Sequence, residues 1–251
     1  MKPLLIAGIA ALAAISSTAV EAAEIRVAAG GAAQEAIVEL AAAFKKKTGH
    51  EIKGSFAPMG TLANKLKAGE KADLLFMTGS ALDDVAKGGI KLDADRRPLG
   101  RVLIGLAVKE GAAVPDISTV DAFKKALLAA KSVAYVDPAT GATSGTHFAK
   151  MLEKMGIAEQ MKPKSILKPG GYVVELVAKG EAEMGVHQIT EILPVKGIKL
   201  VGPIPADVNL VSTYTGVLVA GASPEAKAFL DFATSPEAKA AVEHAGFQWP
   251  R

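Results

Sequence analysis

The chain of 251 residues contains no cysteine. That excludes a disulfide framework, a thiolate metal site and a cysteine nucleophile. A dominant charge is missing too: 29 Lys+Arg against 26 Asp+Glu leave +3, and no basic run exceeds the three lysines Lys45 to Lys47. Such a surface has no electrostatic footprint for nucleic acid. Aromatics are only 5% of the residues, and much of the apolar share is alanine, which suits helices packed closely on sheets. Nucleotide signatures are lacking, with neither GxxxxGK[ST] nor GxGxxG at the strand-to-helix junctions. The four histidines, His50, His147, His187 and His244, stand outside any HExxH context, so neither a metal nor a cofactor is expected. There is no GxSxG elbow. Ser144, His147 and Asp137 make a poor triad because the serine and histidine fall on one expected helix.

What is present is an apolar, export-type chain. Half the residues are hydrophobic and the mean hydropathy is +0.28, which excludes a mainly disordered chain. Met1 to Ala22 has a positive Lys2, an apolar run from Leu4 to Ile15, and small residues at Val20 and Ala22 before Ala23. This is the pattern of a cleaved secretory signal. The apolar run is too short for a membrane span, and no later stretch is long enough for one. A lipid anchor needs a cysteine at the cleavage site. The expectation is therefore a free protein in a bacterial periplasm.

Beyond the signal the chain alternates strand and helix. Strands are expected at Glu24 to Ala29, Glu51 to Ala57, Asp73 to Met77, Arg101 to Lys109, Ser132 to Asp137, Ser165 to Leu167, Ala182 to His187, Lys199 to Ile204 and Val211 to Ala220. Helical spacing marks Gln34 to Lys47, Thr61 to Ala68, Ser80 to Lys87, Thr119 to Ala130 with Ser118 or Thr119 as cap, Thr143 to about Met155, and Tyr172 to Lys179. Two closing helices share the repeat Ser-Pro-Glu-Ala-Lys at Ser223 and Ser235, which reads as capping chemistry used twice. The alternation implies an α/β protein with mostly parallel sheets. Ligands in such folds sit at strand carboxyl ends beside helix N-termini.

Four junctions there share one chemistry: Gly30-Gly31-Ala32, Met59-Gly60-Thr61 after Pro58, Thr78-Gly79-Ser80, and Thr140 to Thr146 with Thr143, Ser144 and Gly145. Each joins glycine, which lets a ligand approach the backbone, to the free N–H groups of a helix start. The helix dipole adds partial positive charge. One such loop satisfies turn geometry alone, but four on one scaffold point to an anion site. His187, ending an apolar strand beside Gln188, either faces a cleft or is a structural histidine. Tyr172, after Gly170-Gly171, either offers its hydroxyl to a ligand or packs.

Longer stretches carry a resemblance: Phe44 to Leu62, Lys65 to Met77, Ala81 to Ile90, Gly145 to Lys164 and Glu175 to Val186. They resemble the molybdate-binding family among the periplasmic solute-binding proteins of ABC importers, through nearly the whole chain after the signal. The resemblance implies two α/β lobes of the type II periplasmic binding fold, with residues 23–102 and 205–251 in lobe one and 103–204 in lobe two. It implies two crossover strands as a hinge, near Leu99 to Val108 and Val201 to Tyr214, a cleft that closes on a small anion, a monomer, and docking on a membrane permease. In that family two loop serines and a late tyrosine hold the oxyanion. The matching positions here are Ala32, Met59 or Gly60, and Gln188, so all three hydroxyls are replaced. An organic carboxylate is then favoured over molybdate, with Thr143, Ser144, Tyr172, His187 and Gln188 as polar contacts. Gly100 to Phe123 and His187 to Val208 are also similar to the periplasmic aconitate isomerases, which move a double bond by a proton shift. On that reading His187 or Tyr172 is the acid–base group.

Overall fold

A computed structural model describes residues 22–250. The export segment assigned to Met1 to Ala22 lies outside the described residues, apart from Ala22 itself. Among the described residues no helix is long and apolar enough to cross a membrane.

The chain builds β1 (Glu24–Gly30), α1 (Gln34–Thr48), β2 (Glu51–Ala57), α2 (Met59–Lys67), β3 (Leu74–Thr78), α3 (Gly79–Lys87) and β4 (Arg97–Val102). It then builds β5 (Ile104–Lys109), α4 (Val120–Ala129), β6 (Val133–Val136), α5 (Thr143–Lys154), α6 (Ala158–Met161), β7 (Ser165–Lys168), α7 (Glu175–Lys179), β8 (Met184–Gln188), α8 (Ile189–Ile192) and β9 (Ile198–Pro203). β10 (Ser212–Leu218), α9 (Pro224–Ala233) and α10 (Lys239–His244) complete it. Two five-stranded sheets result, in the orders β2-β1-β3-β10-β4 and β7-β6-β8-β5-β9. Each has its own core. Phe44, Phe76 and Phe229 meet edge-on in the first, and Tyr135 packs on Phe148 in the second.

The sheets are mixed rather than uniformly parallel. β10 runs antiparallel between β3 and β4, and β5 runs antiparallel between β8 and β9. The reason lies in the connectivity. The chain enters β5 directly from β4 and enters β10 after leaving β9. Each arrives at the carboxyl ends of the receiving strands, with Ile104 opposite Gln188 and Tyr214 opposite Thr78. A strand entering there must run against its neighbours.

Several expectations change in detail. The single strand expected over Arg101 to Lys109 is two strands in different sheets, broken at Leu103. Nothing in an all-apolar run marks the break, because both sheets bury the same kind of residue. The helix expected from Tyr172 begins only at Glu175, behind Gly170 and Gly171. Thr119 is the cap of α4 and accepts from the Ala122 N–H. Ser223 caps α9 by accepting from Ala226 N–H, whereas Ser235 makes no such bond and donates to the Phe232 carbonyl instead. The second copy of the repeat therefore does not use its serine as a cap.

The second crossing is stitched by Asn209. Its Oδ1 accepts from Ile104 N–H at 3.0 Å, and its Nδ2 donates to the carbonyls of Ile104 and Ile204 at 3.0 and 2.9 Å. Asn209→Ala is expected to cost about 1–3 kcal/mol by leaving the Ile104 N–H without this acceptor. Urea denaturation measures the loss, and an unchanged midpoint would show that water replaces the amide.

Candidate functional site

Loops from both sheets meet around one cavity of about 60 Å³, several times the space a single water requires. Gly30 ends β1 and Gly31 follows it, and Ala57 ends β2 before Pro58 and Met59. From the other sheet come Ala142, Thr143 and Ser144 after β6, Gly170 to Tyr172 after β7, and His187 and Gln188 ending β8. Tyr214 enters from β10. Gly30 is required for close packing: an added Cβ would lie 2.4 Å from Met59 Cε and 2.9 Å from Tyr214 Cε1.

Of the residues singled out from sequence, the structure brings Gly30, Gly31, Met59, Thr143, Ser144, Tyr172, His187 and Gln188 together on this cavity. The others lie elsewhere. Ala32 is buried behind the first loop. Gly60 and Thr61 face an outer groove and Ser80 another part of it, so the third loop opens away from the cavity. Gly145 faces neither: an added Cβ would lie 2.1 Å from the Val136 carbonyl oxygen, so its role is to seat α5 on β6.

The electrostatics come from backbone, hydroxyls and the Glu191 carboxylate. Among the described residues no lysine or arginine lines the cavity. The 3-10 turn Gly31–Ala33 that leads into α1, and the helices α2, α5 and α8, all start here without a side-chain cap. Away from the cavity, α4 and α9 carry one each, whereas α6, α7 and α10 start without one. α3 is uncapped as well and opens on the outer groove. Uncapped N–H groups at a cavity wall are donors in need of an acceptor.

Gln188 is 3% exposed, and its Nε2 donates to Tyr214 Oη at 3.4 Å while its Oε1 has no partner. Burial pushes the Tyr214 hydroxyl well above the usual range, the nearby Glu191 charge adds to this, and the Gln188 bond opposes it. Tyr172 is raised too, by burial first and then by Glu35. Both tyrosines keep their protons at neutral pH. The Tyr172 hydroxyl spans the cleft to donate to Glu35 of α1, so it ties the two sheets together instead of pointing freely inward.

Glu191 was missed from sequence, although its i, i+4 spacing from His187 was a usable signal. It is 7% exposed, with Oε2 3.1 Å from His187 Nδ1. Its other oxygen lies against Gly31, where an added Cβ would be 2.5 Å away. His187, 2% exposed, also accepts from the Gln188 N–H at Nδ1, 2.8 Å, and its Nε2 faces the Gly171 carbonyl at 3.3 Å. Tyr214 and Glu35 were missed as well, and no local pattern announces them, because each reaches the site only through the pairing of distant elements.

Two five-stranded sheets flanked by helices, with a cavity between their loops, are the architecture of the two-lobed type II periplasmic binding proteins. Comparison makes the family definite: a family model for bacterial extracellular solute-binding proteins matches residues 25–248, and the chain belongs to that family. An aconitate isomerase from a Pseudomonas species is 36% identical over 232 residues, covering 89% of this chain and 87% of its own. The molybdate-binding protein ModA of Escherichia coli is 30% identical over 232 residues, covering 89% and 88%. In fold, the periplasmic molybdate-binding protein of Azotobacter vinelandii superimposes with a TM-score of 0.74 at 19% identity, over 90% of this chain and 100% of that one.

Proposed function

We propose that this chain is a periplasmic receptor that captures a small organic carboxylate between its lobes and delivers it to the membrane permease of an ABC transporter. Residues 23–102 with 205–251 form one lobe and 103–204 the other, hinged at Leu103 and the Asn209 segment, and the protein acts as a monomer. The observation that carries the ligand class is the cavity wall: uncapped helix starts, the Gln188 carboxamide and the Tyr214 hydroxyl, with no lysine or arginine among the described residues. Met59 and Gln188, which match two of the positions where the molybdate-binding family carries a hydroxyl, line the cavity without one, and each missing partner costs about 1–3 kcal/mol. Planar carboxylates are served by spaced N–H donors instead. Calorimetry with tricarballylate and with molybdate tests this. Micromolar tricarballylate binding with weak or no molybdate binding is expected, and the reverse order would overturn the ligand class.

A second reading is favoured by one observation, the contact between His187 and Glu191. A receptor has no need of a buried acid–base pair. A double bond moves when a proton leaves the carbon beside it and another is delivered to its far carbon, which leaves the ligand's composition and charge unchanged. His187 and Glu191 can hold that proton between the two steps. Incubation with trans-aconitate decides: cis/trans interconversion that disappears in His187→Ala makes the protein an isomerase, and none makes it a receptor alone.

A further inference from the structure

Two neighbouring groups on the cavity wall still have hydrogen bonds to make. Gln188, at the end of β8, is 3% exposed and lines the cavity. Its Nε2 donates to Tyr214 Oη at 3.4 Å, while its Oε1 has no partner. Tyr214, from β10, accepts that bond and finds no acceptor for its own proton among the described residues. The proton stays on the oxygen at neutral pH, because burial raises this hydroxyl well above its usual range. The pair therefore presents one unmet acceptor beside one unmet donor. Glu191, on the same wall, adds a second acceptor.

A carboxylate alone does not meet this demand. When ionised it only accepts, so it takes the Tyr214 proton and offers nothing to Oε1. Two acceptors would then face each other and a buried carboxamide oxygen would stay unpaired, which is costly. An alcohol meets both needs at once. Its hydrogen goes to Gln188 Oε1 and its oxygen receives the Tyr214 proton.

We infer that the ligand of this cavity is a hydroxycarboxylate, and that Gln188 is the specificity-determining residue that accepts from its hydroxyl. The inference rests on the carboxylate reading above. Such a ligand has two ends, and the wall has two matching parts. Its carboxylates face the bare starts of α2 and α5, at Met59 and Thr143. Its hydroxyl turns to the side where Gln188, Tyr214 and Glu191 stand. Turning the Gln188 amide over would make a different wall. Tyr214 would donate to Oε1, and the pair would keep only the Nε2 hydrogens, which suit a bare carboxylate. The two orientations make opposite demands, so ligand preference distinguishes them.

The test is titration calorimetry of the full protein with citrate and with tricarballylate. These share one carbon skeleton and three carboxylates, and differ by a single hydroxyl. At a pH where both are fully ionised, charge cancels from the comparison. Citrate is expected to bind about tenfold tighter or more, since a site built to bond a hydroxyl rejects the analogue lacking it. A hydroxyl buried without partners would give the reverse order. In Gln188→Met, similar in length but without the amide, the preference is expected to vanish through loss of citrate affinity. Equal affinities in the unmodified protein, or tighter tricarballylate, overturn this inference and leave the carboxylate reading standing. A citrate preference that survives in Gln188→Met overturns the role given to Gln188. Absence of binding by either acid overturns both readings.

Discussion

Gly60→Val is expected to weaken tricarballylate binding by roughly tenfold or more, about 1.4 kcal/mol, while the melting temperature without ligand stays unchanged. Gly60 does not touch the cavity. It stands in the first turn of α2, against the loop of the other lobe. An added Cβ there would lie 2.6 Å from the Thr140 carbonyl oxygen and 3.1 Å from Gly141 Cα. The contact is reciprocal, because a Cβ on Gly141 would be 2.9 Å from Gly60 Cα. Gly141 also holds φ at +68°, so it too favours glycine. Both neighbours are backbone and cannot swing aside. A valine at 60 therefore wedges the lobes apart and exposes the cavity to water. Within its own lobe it is harmless, since valine is a slightly better helix former than glycine. Gly79→Ala is the control: it too opens a helix, and its added Cβ meets nothing within 4 Å. Calorimetry and a thermal melt on each variant separate the outcomes. Full affinity in Gly60→Val would mean that the lobes do not need this contact to hold ligand.

Gly145→Ala is expected to destabilise the fold itself, and here two effects compete. Helix propensity favours alanine by at most about 1 kcal/mol here, in the first turn of α5. The added Cβ, however, would lie 2.1 Å from the Val136 carbonyl oxygen and 2.9 Å from its carbon. Val136 is buried at the end of β6, so relief requires α5 to move off that strand. Overpacking of this kind costs about 1–3 kcal/mol and occasionally more. Contact with a rigid backbone belongs at the upper end. The net loss is about 2 kcal/mol, which lowers the melting temperature by roughly 4–8 °C for a chain of this size. A rise in melting temperature would mean that α5 slides freely on its sheet. Because α5 carries Thr143 and Ser144 into the cavity, a smaller slide would show as lost affinity before it shows as lost stability.

Much of the architecture was readable from local chemistry. The strands β1, β2 and β3 and the helices between them follow from alternation, helical spacing and glycine stops, which depend on a few neighbouring residues only. The same holds for the glycine-bearing helix starts at Gly30, Met59 and Thr143. His187 and Gln188 were visible as polar residues ending an apolar strand. Gly60 and Gly145 were visible as glycines, but the sequence assigns them the same reason as Gly30. Three different reasons operate: a close approach at the cavity wall, a contact between lobes, and the seating of a helix on a sheet.

By itself the sequence determined most of the segments that fold into strand and helix, and that several strands pass into helices through glycine-bearing loops. Those features come from residues within a turn or two of one another. Only the tertiary structure decided which starts share a cavity and that the chain changes sheets at Leu103. It alone brought Tyr214 and Glu35 to the cleft and set Glu191 against Gly31. The physical reason is that these relations depend on strand order and on which edge of a sheet a crossing strand enters. A strand buried in either sheet has the same apolar pattern, so no local signal distinguishes the two.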